Sequence, residues 1–258
     1  MLANSRTTKI GWVLMVMVSL YWALAGCGGG AKSGETNQDA INRFKPQYAE
    51  LRTKLQQLAG KIPQRATERK ATGSLTPQPV YSTQTDKPSN TDILMHPHLL
   101  DPDAKLDQNT QFDLQLANHL LRALQWTGDK NPMSASALKT KATDSVIRDL
   151  EQGLQTRYVA VAKVAAYTPV VAVDKKTFRG GQATLDGFLV DLTNQSVVCS
   201  FTVSAKAQEQ ISYTYKENED ATEALAKLAR SSLWSAARQE FIKALNDKCG
   251  GDFGQMSR

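Results

Sequence analysis

The side chains able to do chemistry are few: three cysteines, Cys27, Cys199 and Cys249, and three histidines, His96, His98 and His119, in 258 residues. His96-Pro97-His98, with Asp101 and Asp103 close behind, brings together two imidazoles and two carboxylates, types that can bind a divalent ion. The grouping lacks a spacing that would aim its donors at one point, and no neighbour would orient the imidazoles, so it is assigned no metal. His119 falls inside an apolar helical stretch and reads as a surface or packing residue. Nucleophilic catalysis needs a Ser or Cys on a sharp turn with His and an acid as partners, and no Gly-x-Ser-x-Gly occurs. Gly180-Gly181 lacks the following Lys-Ser/Thr of a phosphate loop. No catalytic residue, metal ligand or cofactor is nominated, and the expectation is a protein that is not an enzyme.

The ends of the chain carry more information. Met1 to Lys9 holds Arg6 and Lys9 and no acid, and Ile10 to Ala23 is an uncharged apolar run. That run is shorter than the roughly 20 residues a helix needs to cross the hydrocarbon core, and it reads as the apolar region of an export signal. It ends in Leu24-Ala25-Gly26-Cys27. An aliphatic residue, two small residues and a cysteine in this place resemble the lipobox of bacterial lipoproteins.

The resemblance covers residues 1 to about 28. It implies cleavage of residues 1–26 as a lipoprotein signal peptide and a diacylglycerol thioether on Cys27. A further acyl chain on the new amino terminus would complete an anchor of two or three chains, enough for stable attachment. The implied place is the bacterial cell envelope, lipid-anchored and facing the periplasm or the exterior. Gly28 stands where inner-membrane retention in enteric bacteria would favour aspartate, which points to the outer membrane where the cell has one.

Removing Arg6 and Lys9 with the signal takes two from the formal net charge of +6. A mildly basic chain in that compartment can rest on anionic lipid, a wall polymer or an envelope protein, and nucleic acid is not an expected partner. With Cys27 acylated, Cys199 and Cys249 remain, and an even pair in an oxidising compartment is a disulfide candidate. The alternative is two unpaired cysteines, one of them packed in the core.

The elements that must position these groups follow from periodicity. Residues 27–36 read as a Gly/Ser tether. Residues 37–60 read as an amphipathic helix, because Ile41, Phe44, Tyr48, Leu51, Leu55 and Leu58 recur in steps of three and four; Pro46 either kinks it or marks its start. Residues 61–102, broken by Pro63, Pro77, Pro79, Pro88 and Pro97, read as a Pro/Thr/Ser-rich linker that holds the domain off from its anchor.

Residues 103–258 read as an α+β domain. Two helices are expected first: one from Thr110 to Gly128 through Phe112, Leu116, Leu120 and Leu124, the other through Leu138, Ala142, Ile147, Leu150 and Leu154, with Thr143 as a later start. An antiparallel sheet of about four strands follows, at Tyr158 to Tyr167, Gln182 to Leu192, Val197 to Ala205 and Ile211 to Tyr215. A long helix capped by Asn218 or Asp220 then packs on the sheet and stops at Gly250-Gly251.

Between the first two of these strands, Asp174-Lys175-Lys176-Thr177-Phe178-Arg179-Gly180-Gly181 sets three cations around one aromatic at the tip of a hairpin. Such loops carry recognition when a sheet holds them, so Lys175, Lys176, Phe178 and Arg179 are the candidate partner-contact residues. The competing reading has Phe178 folded back onto the core. Two functions remain open: a non-enzymatic binding or scaffolding module, or a tethered enzyme or small-ligand receptor with a pocket between sheet and helices.

Overall fold

The computed structural model describes residues 34–71, 75, 90–106, 114, 119–174, 176–208, 220–250 and 253. The lipobox, Lys175 and the strand expected at Ile211–Tyr215 lie outside them. The chain is α+β, as expected, with elements in the order α1 (Asn37–Ala59), β1 (Thr91–Met95), α2 (His96–Leu100), α3 (His119–Trp126), α4 (Ala135–Lys139), α5 (Asp144–Leu154), β2 (Tyr158–Thr168), β3 (Val171–Ala172), β4 (Phe178–Arg179), β5 (Gln182–Asp191), β6 (Ser196–Lys206) and α6 (Ala221–Cys249).

Four strands form one sheet in the order β1-β2-β5-β6, and β3 pairs with β4 in a separate hairpin. The sheet is mixed rather than antiparallel, because β1 runs parallel to β2 with Thr91 opposite Tyr158 and Met95 opposite Ala162. The antiparallel part, β2-β5-β6, matches the first three strands of the meander that the sequence predicts.

The fourth strand comes from a stretch that reads as linker. Thr91 to Met95 are all buried, so the segment has no polar alternation by which a strand could be recognised. Pro97, which argues against regular structure there, sits in the first turn of α2, where a missing N–H breaks no helical bond. The domain therefore does not begin at residue 103.

Helix α1 belongs to it as well. Thr36 opens the helix with a capping box shared with Asp39, and the helix runs unbroken through Pro46 to Ala59. Its stripe is in the core: Ile41, Tyr48, Leu55 and Leu58 are at most 2% exposed. They pack with Leu120 and Leu124 of α3, Val146, Ile147 and Leu150 of α5, and Leu94, Val159, Val161 and Phe188 of the sheet. The Tyr48 hydroxyl donates to the Leu150 carbonyl at 2.7 Å, and Gly153 has no Cβ because one would collide with that hydroxyl.

The other face is covered by α6. Ala229, Leu233, Ala237, Phe241 and Leu245 meet Ile93, Ala160, Ala162, Leu185, Leu189 and Phe201. Asp220 caps the helix through the amides of Thr222 and Glu223, and Gly250 closes it in the left-handed conformation. Phe201 lies edge-on to Phe241 at 5.1 Å. Gly187, opposite Phe201 in the ladder, leaves the space its ring fills. Cys199, on the same face, is disulfide-bonded to Cys249 at the end of α6, Cα to Cα 5.5 Å, which pins the helix C-terminus to the sheet.

After α1 the chain crosses the sheet face on the α1 side before it leaves the described residues. Lys163 donates to the Pro63 carbonyl at 3.1 Å. Arg65 pairs at 2.7 Å with Asp186, which is fully buried and also accepts from Thr202. Arg69 exchanges backbone hydrogen bonds with Ser200, covering part of the β6 edge.

A fragment that starts at residue 103 loses α1 and β1 and should show no cooperative thermal transition by circular dichroism, whereas one that starts at residue 34 should unfold cooperatively. Replacing Cys199 and Cys249 by Ala should lower unfolding stability in urea by about 4 kcal/mol, from loop entropy at a sequence separation of 50.

Candidate functional site

The β3–β4 hairpin is held at its base by the sheet. Gly181 accepts from the Ala207 amide at 2.7 Å and donates to the Thr168 carbonyl at 3.0 Å. Gly180, at a φ of 80°, lies against the Pro169 carbonyl, where a Cβ would collide. At the tip Asp174 closes the loop: its carboxylate accepts from the amides of Lys176 (2.7 Å) and Thr177 (2.8 Å) and from the Thr177 hydroxyl (2.8 Å). Those bonds, the Lys176 amide foremost, hold its carboxyl below the usual range.

Lys176 and Arg179 are exposed, and the structure leaves both charges on the surface. Phe178 does not join them there; it is half-buried and packs against the α6-side core, so the aromatic serves the fold. The exposed apolar groups are instead Val171 (45%) and Val173 (61%), which the sequence reading passed over. Their signal was local, since a two-residue strand beside an open loop has nothing to cover both of its faces.

An open groove of about 500 Å³ lies at the opposite end of β2, between α1, the end of α5 and the β5–β6 turn. Its lining includes Glu50, Lys54, Thr156, Arg157 and Gln195. The charges in it are already paired: Glu50 with Lys54 at 2.7 Å, and Arg157 with Asp191 at 3.2 Å. Burial works against the Asp191 carboxylate, but the Thr193 amide and Arg157 hold its carboxyl below the ordinary value. Among the described residues, each charged side chain lining the groove stands in an ion pair.

Beneath the groove lies the most strained electrostatic feature. Asp92 of β1 is 3% exposed; its Oδ2 accepts from the Leu120 amide at the start of α3 (3.1 Å) and from the Thr156 hydroxyl (3.2 Å), while Oδ1 has no partner among the described residues. Burial raises its pKa to about 6 against the relief given by His119 and Arg122. Asp149 of α5, 2% exposed, accepts from His119 Nδ1 at 2.5 Å and from Arg122 Nη2 at 3.1 Å. Arg122 Nε is 3.0 Å from Asp149 Oδ2, within ion-pair distance but without hydrogen-bond alignment. Burial also pushes the Tyr48 hydroxyl up.

An Asp-His pair is the orienting half of a catalytic triad, yet among the described residues no hydroxyl or thiol hydrogen-bonds His119. The group ties α3 to α5 and β1. Sequence reasoning could place His119 on a helix but could not find Asp92, which stands in the stretch read as linker.

The histidines at residues 96 and 98 do not converge either. His98 is buried with Nε2 3.2 Å from the Ala104 carbonyl, and burial, with Lys163 nearby, lowers the His96 pKa. Among the described residues no three His, Cys, Asp or Glu side chains gather as metal ligands, and no helix is long and apolar enough to cross a membrane.

No protein-family model and no curated protein matches the chain. Among solved structures it is similar to a chain of the PelC dodecamer from Paraburkholderia phytofirmans, at 17% identity over 39% of this chain, with a TM-score of 0.18. The match spans 64% of that structure's chain, and a likeness this slight carries no argument about fold or function.

Asp92 makes a pH signature. A carboxyl whose folded pKa of about 6 exceeds its ordinary 3.8 binds more protons folded than unfolded between those values, so its penalty is present above pH 6 and fades as pH falls toward 4. Asp92→Asn, which keeps an acceptor for Leu120 and Thr156, should be the more stable form at pH 7.5. Its advantage, measured by urea unfolding, should shrink by on the order of 2–3 kcal/mol by pH 4. A pH-independent difference would remove Asp92 as its source.

Proposed function

We propose that this chain is a lipid-anchored protein of the bacterial cell envelope whose α+β domain is a non-enzymatic binding or scaffolding module. The observation that carries the reading is Cys27 at the end of Leu24-Ala25-Gly26-Cys27, behind a cationic start and a short apolar run. The bond between Cys199 and Cys249 supports it, since it leaves Cys27 as the one cysteine free for acylation and suits an oxidising compartment.

A binding role is favoured over an enzymatic one because the groove's charges are mutually neutralised, whereas the β3–β4 hairpin presents Lys176 and Arg179 beside exposed Val171 and Val173. Cations flanking small apolar side chains fit an acidic partner, an envelope protein or a wall polymer, that also offers apolar contact. No small-molecule cofactor enters this reading.

Cys27→Ser should abolish incorporation of radiolabelled palmitate and leave an uncleaved precursor; continued labelling would defeat the anchor. For the hairpin, envelope proteins and wall fragments captured by the wild-type chain should fall several-fold in yield with K176A/R179A. Equal recovery of every captured species would remove the hairpin as the contact surface.

A further inference from the structure

The start of α1 fixes where a chain held at Cys27 enters the domain. The Asn37 amide donates to the Thr140 carbonyl at 2.9 Å, and its side chain donates to the Ala137 carbonyl (2.9 Å) and the Thr140 hydroxyl (3.1 Å). The Asn37 side-chain oxygen accepts from the Thr143 amide, and the Ala142 amide donates to the Glu35 carbonyl at 2.8 Å. Asn37 is 5% exposed, so this entry point is stitched to α4 and the turn before α5.

Because α1 is a core element, the chain between anchor and domain runs only from Cys27 to Thr36. Nine residues span at most about 32 Å fully extended. The 60–90 stretch adds nothing to that reach, since it joins α1 to β1 of the same domain. The entry surface therefore stays within about 32 Å of the lipid, close enough for it to dock there.

That surface has the charge to meet it. From residue 130 to residue 143 the sequence contains Lys130, Lys139 and Lys141 and no acid. All three lysines are exposed, and none is within ion-pair distance of an acid among the described residues. Of the acids beside them, Glu35 pairs with Arg43 at 2.9 Å, Asp39 sits in the capping box of α1, Asp129 lies 3.9 Å from Lys45, and Asp144 stands in the first turn of α5, where the helix dipole favours it. α4 itself buries no residue, so Ser134, Ala135 and Ser136 add small exposed side chains that allow close approach.

We propose that α4 and the Lys139–Lys141 turn form a docking surface for the anionic headgroups of the bilayer that carries the acyl chains of Cys27. The inference rests on acylation of Cys27 and adds the orientation of the domain: the α1 start faces lipid, and the remaining surface is free for partners. Attraction of this kind acts within about 8 Å at physiological ionic strength, so it needs the short tether.

The acylated full-length protein, placed in vesicles of phosphatidylcholine alone or with phosphatidylglycerol, tests this by hydrogen exchange. Amides of residues 134–143 should exchange several-fold more slowly in the anionic vesicles, and high salt should remove the difference. K139E/K141E should still float with both vesicles but lose the protection. Flotation with equal exchange of 134–143 in the two vesicles overturns the docking surface and leaves the anchor standing; failure to float with either overturns both.

Discussion

The structure depends on the burial of both faces of the sheet where β1 and the first half of β2 run side by side. Tyr158 to Ala162 are buried without interruption, with β1 on one edge and β5 on the other. A strand enclosed in this way cannot face water on either side, so one helical layer is not enough. α6 supplies one cover; α1, α3 and α5 supply the other. At roughly 25 cal/mol for each Å² of apolar surface, stripping either layer would expose more than a domain of ordinary stability can lose.

That requirement sets where charge can go. Among the described residues four carboxylates are buried, at Asp92, Asp149, Asp186 and Asp191, and the first three are held by donors from elements other than their own. Asp92 joins β1 to α3 and to the residue just before β2; Asp149 joins α5 to α3; Asp186 joins β5 to the segment that follows α1. Such ties cost desolvation, and the incomplete partnering of Asp92 is where that cost shows. Cations outside the ion pairs lie at the periphery, among them Lys176 and Arg179 on the β3–β4 hairpin and Lys139 and Lys141 around α4.

The same requirement changes the account of the tether. A helix followed by a Pro-rich stretch suggests a spacer that holds the domain away from the membrane. With α1 in the core and β1 in the sheet, the stretch between them is a connection inside the domain, and only residues 27–36 can separate anchor from fold. Under the proposed acylation of Cys27, the domain's reach is then set by those residues alone.

Sequence alone determined the features whose signal is local. β6 was legible from alternation, because one of its faces is partly wet; α6 was legible from Asp220, Gly250 and its apolar stripe; and Leu24-Ala25-Gly26-Cys27 was legible as a resemblance carried by four residues in a row. Tertiary structure decided what depends on distant partners. β1 could not be read because a strand buried on both faces carries no alternation, and Pro97 looked like a breaker until its place in a first turn was known. Phe178 and the pairing of Cys199 with Cys249 turned on which face the packing covers, and Asp92 on donors from α3 and the α5–β2 turn. Spacing along one segment records the period of that segment, but not what lies across from it.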